Sequence, residues 1–100
     1  MALTLGKIQE HMEKLDNWGI EGGTSLTKDF TCETFAAAIA FVSKVAQIAE
    51  EQQHHPSILI EGTLVRLTLT THSEHGLTEK DFMLAQSIDA LNHPTSETPS

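Results

Sequence analysis

Little in this chain could tie it down covalently or draw it to a negatively charged surface. It holds a single cysteine, Cys32, so no disulfide can close within it. Lys and Arg number 6 against 14 Asp and Glu, a formal charge of -8 at pH 7. That shortage of positive charge excludes the basic footprint that direct nucleic-acid binding needs, and it argues against an anionic membrane surface. No apolar run approaches the roughly 20 residues of a membrane span. The first residues lack the basic segment, apolar stretch and small-residue cleavage site of a signal peptide. Phosphate-binding glycine loops, H-E-x-x-H and paired-cysteine spacings are missing, as are internal repeats. Tyrosine is absent altogether. The expectation is a soluble, cytoplasmic protein with no membrane and no direct nucleic-acid partner.

What is present fits one small domain. The 100 residues divide into a patterned part, 1–91, and a polar, proline-containing tail, 92–100, expected to be disordered. Leu5, Ile8, Met12 and Leu15 fall at helical spacing behind Thr4, a plausible cap, with Asn17 and Gly19 ending the helix. Trp18 and Ile20 alternate as in a strand. Glu21-Gly22-Gly23-Thr24 is a turn, and Leu26, Lys28 and Phe30 share one face of a second strand. Glu33 to Gln52 is the strongest helix. It carries two apolar stripes, Phe35, Ile39, Val42, Ala46 and Ala49 beside Ala38, Phe41, Val45 and Ile48. One sheet cannot cover both, so the second is expected to meet another helix or, preferably, a second subunit. Ser57 to Glu61 and Leu64 to Thr71 read as strands around the turn Glu61-Gly62-Thr63. Thr78-Glu79-Lys80-Asp81 is a capping box opening a last helix through about Leu91. The predicted class is α+β, order α-β-β-α-β-β-α, with a four-stranded antiparallel sheet and helices on one face.

The chemistry concentrates in Glu50-Glu51-Gln52-Gln53-His54-His55-Pro56 and in Thr70-Thr71-His72. The intervening hairpin would bring three imidazoles from two segments together. Imidazole can give and take a proton near neutral pH, which points to acid–base work on a small molecule. The ordinary explanation for an adjacent histidine pair is one solvated ring and one packed at the helix end. Against it, Pro56 fixes the backbone just after the pair, and the C-terminus of the helix favours imidazolium. Glu50 opposes that dipole and continues the Val42–Ala46 stripe, which leaves two alternatives: a frayed, solvated helix end, or a carboxylate that leans toward the sheet and orients a histidine. Asp81 is explained by the capping box alone, yet it also falls on the inward face with Leu84 and Ile88. His75, beside Gly76, is expected in solvent. Zinc is the chemical rival, since His54, His55, His72, His75 and Glu50 are all ligand types. Adjacent histidines in extended chain point to opposite faces, so no metal site is expected. Cys32 precedes a helix with no histidine near it in sequence, which gives nucleophile chemistry no support.

These residues carry a resemblance. Ala49-Glu50-x-x-x-His54-His55-Pro56, Thr71-His72, Gly76-Leu77-Thr78-x-x-Asp81 and Leu84-Ala85 closely resemble the pterin-4a-carbinolamine dehydratase family. The likeness runs through about residues 5–91, with Trp18, Phe30 and Phe41-Val42 also fitting. It implies dehydration of 4a-hydroxytetrahydropterin to quinonoid dihydropterin in pterin cofactor recycling, without metal or organic cofactor, by a homodimer or homotetramer. Carried over by position, His54, His55 and His72 would be catalytic, with Glu50 and Asp81 supporting. His54, His55, Pro56, Thr71, His72, Ser73 and Glu74 would bind the pterin. The chain departs from the family pattern at Gln53, often Asp or Asn, at Ile58, often aromatic, and at Gly62, often tyrosine. These losses thin the walls that would stack on a flat ring. The alternative is a non-catalytic dimeric interaction or assembly module on the same fold.

Overall fold

A computed structural model describes residues 2–91. The elements follow as α1 (Leu5–Met12), β1 (Gly19–Glu21), β2 (Ser25–Thr31), α2 (Phe35–Gln52), β3 (Ser57–Glu61), β4 (Leu64–Leu69), a short 3-10 turn (His72–Glu74) and α3 (Glu79–Asp89). The four strands form one antiparallel sheet, order β1-β2-β4-β3. The predicted class and element order are the ones observed. The expected tail, 92–100, lies outside the described residues.

The alternation along β2 and β4 decides which face the helices cover. Leu26, Lys28 and Phe30 from β2 and Val65, Leu67 and Leu69 from β4 are all buried on one side. Ala38, Phe41 and Val45 of α2 and Phe82, Leu84, Ala85 and Ile88 of α3 complete the same core. The stripe of α2 that meets the sheet is thus Ala38, Phe41 and Val45. Phe35 and Ile39 of the other stripe stay exposed, at 58% and 44%. Strand β3 lies at the sheet edge, and its Ile58 and Leu59 are exposed too.

Several boundaries sit inside those expected, each for a local reason. Helix α1 stops at Met12, because Lys14 and Leu15 bond back only three residues, to His11 and Met12, and Asn17 turns left-handed at φ 63. Helix α2 starts at Phe35 because the Thr34 side chain accepts the Ala37 N–H at 2.9 Å as an N-cap. Strand β4 ends at Leu69: Thr70 donates its hydroxyl to the Thr24 carbonyl, and Thr71 bridges to Gly76 instead.

Candidate active site

The end of α2 aims the first histidine. Gln53 adopts the left-handed conformation, φ 54 and ψ 43, and the His54 N–H returns to the Ala49 carbonyl at 3.0 Å. This closure satisfies carbonyls the helix would leave bare and turns the chain sharply. The β3–β4 register, carried on past Ser57↔Thr68, brings His54 level with Thr71. The two residues meet on the same carboxylate. His54 Nε2 lies 2.6 Å from Asp81 Oδ1, and the Thr71 hydroxyl donates to Asp81 Oδ2 at 2.8 Å.

Asp81 comes from the first turn of α3 and has no exposed side-chain area. It closes the capping box by accepting the Thr78 N–H on Oδ2 at 2.9 Å. Its two expected roles, box and inward-facing group, therefore coincide in one side chain. The Thr78 hydroxyl lies 2.8 Å from that of Thr71, extending the chain of hydrogen bonds by one step. Buried carboxylates persist only when such donors replace water. The His54 ring is 11% exposed, almost as deep as its partner.

The other expected residues occupy different settings. His55 Nε2 lies 2.9 Å from Glu50 Oε2, with both side chains largely in water at 60% and 72% exposure. Glu50 points outward, the solvated alternative rather than the lean toward the sheet, because the Val42–Ala46 stripe it continues is not the one that faces the sheet: Ala46 is exposed, whereas Val45 and Ala49 are buried. Pro56 is half-buried between the histidines and β3. His72 is exposed and lines a cleft of about 270 Å³ with Thr24, Ser25, Thr70, His75 and Gly76. None of the three imidazoles hydrogen-bonds another among the described residues.

A second, larger cleft of about 410 Å³ is bounded by Thr71, Ser73, Glu74, Thr78, Glu79, Lys80 and Leu3. That volume suits a small organic ligand. Three of the expected binding residues, Thr71, Ser73 and Glu74, meet there. Leu3 and the α3 N-terminal residues were not foreseen; the capping box could have signalled them, since it places a helix start beside Thr71. No three His, Cys, Asp or Glu side chains among the described residues converge as metal ligands. Cys32 is buried, and burial pushes its thiol up, away from the reactive thiolate.

Fold and site together define a small α+β protein that seats a histidine on a buried, capped carboxylate. The family model for pterin 4 alpha carbinolamine dehydratase matches residues 1–91, and the chain belongs to that family, whose named activity is that of a hydro-lyase. A Chloroflexus aggregans protein provisionally named pterin-4-alpha-carbinolamine dehydratase is 45% identical over 89 residues, covering 89% of this chain and 95% of its own. A transcriptional coactivator/pterin dehydratase from Brucella melitensis superposes with a TM-score of 0.85 at 34% identity, over 90% of this chain and 97% of that one. A pterin dehydratase-like protein identified as a RuBisCO assembly factor in the alpha-carboxysome superposes at 0.64 with 28% identity, over 75% and 88%.

Proposed function

We propose that this protein dehydrates 4a-hydroxytetrahydropterin to quinonoid dihydropterin, using histidine acid–base catalysis without metal or organic cofactor, in the cytoplasm. The observation that carries the reading is the His54–Asp81 pair, an imidazole held by a carboxylate with no contact to water. The reaction asks for such a group. A proton goes to the 4a-hydroxyl oxygen, the C4a–O bond breaks, and water leaves with the electron pair. The N5–H proton is withdrawn, and its electron pair forms the C4a=N5 double bond. No electron acceptor is needed, and each step is a proton transfer within the reach of histidine. His54 and His72 are assigned as the acid–base pair. His55 binds and orients the pterin, and Pro56, Thr71, Ser73 and Glu74 line the site.

The test is dehydration of freshly generated 4a-hydroxytetrahydropterin at neutral pH, followed by absorbance, for wild type, His54→Ala and His72→Ala. Turnover that collapses in both variants supports the assignment. A wild-type rate equal to buffer, from folded protein, sinks it.

The protein is further proposed to act as a homodimer or homotetramer. Phe35 and Ile39 on α2 and Ile58 and Leu59 on the edge strand β3 supply exposed apolar surface. Sedimentation at micromolar concentration tests this; a monomer would sink it. The same surface, with the assembly-factor neighbour, favours one second reading, a non-catalytic assembly module. In that case the wild type would show no dehydration, and alanine at all three histidines would leave its cellular role intact.

A further inference from the structure

Asp81 receives hydrogen atoms from two directions before His54 is counted. The Thr78 N–H can only donate, and it points at Oδ2. The Thr71 hydroxyl gives its proton to the same oxygen, so the Thr78 hydroxyl must be the donor in the 2.8 Å contact between the two threonines. With two hydrogens already directed at Oδ2, the carboxylate offers its other oxygen to the ring. Oδ1 is then an acceptor, and the His54 nitrogen 2.6 Å away must carry a hydrogen. That nitrogen is Nε2.

The remaining nitrogen follows by elimination. Among the described residues no buried side-chain nitrogen or oxygen lacks a hydrogen-bond partner. His54 bonds only through Nε2, so its Nδ1 opens to solvent. A ring whose Nε2–H is fixed can exchange a proton with a ligand only at Nδ1.

We infer that the capping box of α3, extended by Thr71, sets the tautomer of His54: Nε2–H faces Asp81, and Nδ1 is the proton-exchanging atom. Thr71 and Thr78 are positioning residues that act through Asp81. Thr78 thereby serves two purposes, starting a helix and ending a chain of three hydrogen bonds that terminates on the ring. The part concerning the ligand rests on the dehydratase reading; the tautomer does not.

The experiment is side-chain ¹⁵N NMR of the uniformly labelled full chain, above the titration range of histidine, with His54 assigned by its loss in His54→Gln. The expected result is a protonated Nε2 and an unprotonated Nδ1. Thr71→Val, nearly isosteric, removes one donor from Asp81 and should mix the two tautomers. It should also lower kcat by about tenfold, as loss of one bond to a carboxylate does. Thr71→Ser, which keeps the hydroxyl, should restore both readouts. An Nδ1–H tautomer in the wild type overturns the inference, whatever the enzyme does. So does a Thr71→Val protein with wild-type tautomer and kcat. A wild type with Nε2–H and no turnover supports the tautomer assignment and refutes the dehydratase reading alone.

Discussion

Lys28 and Asp89 form an ion pair beneath the helices, with Nζ 3.0 Å from Oδ1 and side-chain exposures of 6% and 17%. Lys28 stands on the apolar face of β2 between Leu26 and Phe30. Its ammonium also donates to the Asp16 carbonyl at 2.6 Å and lies 4.9 Å from the Phe30 ring centroid. Asp89 in turn accepts from the Trp18 indole at 3.0 Å and from the Asp16 N–H. One carboxylate thus ties the end of α3 to the α1–β1 connection and to β2.

Removing that carboxylate should be costly. Asp89→Ala leaves a buried ammonium without its counter-charge and an indole N–H without an acceptor. The expected loss is about 3 kcal/mol, measured by urea unfolding. A loss under about 1 kcal/mol would mean that water replaces the carboxylate, and that the pair is not buried in solution.

Asp81→Asn should strike activity and stability together. An amide cannot satisfy the donors from Thr71, Thr78 and His54 at once. Dehydration should slow by about 100-fold or more, the usual contribution of a positioned acid or base. Stability should fall by about 1–3 kcal/mol for the unsatisfied group. Folded protein within threefold of the wild-type rate would detach Asp81 from catalysis.

Glu50→Gln should behave differently, although Glu50 also holds a histidine. The Glu50–His55 pair is exposed on both sides, where ion pairs contribute under about 1 kcal/mol. The expected urea midpoint is close to wild type. A large shift would show that a second copy of the chain covers this end of α2.

The pair Asp29–Arg66, directly cross-strand at 2.7 and 3.0 Å, gives a pH signature. The Arg66 hydrogen bonds hold the Asp29 carboxyl below its ordinary value near 3.8. A depressed folded-state value contributes stability above the unfolded value, and that contribution is lost as pH falls through the folded one. Arg66→Gln should therefore lag wild type at pH 7, and the gap should close in acid below the ordinary aspartate range. Urea midpoints of both proteins across that range would show it. A gap that widens in acid contradicts the pairing.

Much of the fold was legible because its signals are local. Alternation placed Leu26, Lys28 and Phe30 on one face and Val65, Leu67 and Leu69 on another strand's matching face. The Thr78–Asp81 spacing located α3, and Gly62 marked the β3–β4 turn. What stayed hidden depends on partners distant in sequence. Lys28 on an apolar face demanded an acid, but nothing near it named Asp89, 61 positions on. Glu50 follows the Val42–Ala46 stripe and points to water, because periodicity finds two stripes on α2 without saying which one the sheet covers. At the site, the residue types were readable and their hydrogen-bond partners were not. His54, His55 and His72 read as one cluster, and nothing in the pattern said that the first would bond Asp81, the second Glu50, and that the third would line a cleft with His75. A period of two or 3.6 assigns faces, but it does not say which of two neighbouring carboxylates a ring will choose.

Gln53 bears on that choice. Glycine, or sometimes asparagine, usually fills a left-handed helix end, and here a longer side chain does so. Its own amide donates back to the Glu50 carbonyl at 2.7 Å. For one residue the chain changes hand, and the next two inherit the new heading. His54 reaches forward to a carboxylate on the following helix, while His55 reaches back to one on the helix just left. Two side chains adjacent in sequence thereby answer to different parts of the molecule, one mostly buried and one in open water, and a shift of the backbone at this single joint would disturb both at once.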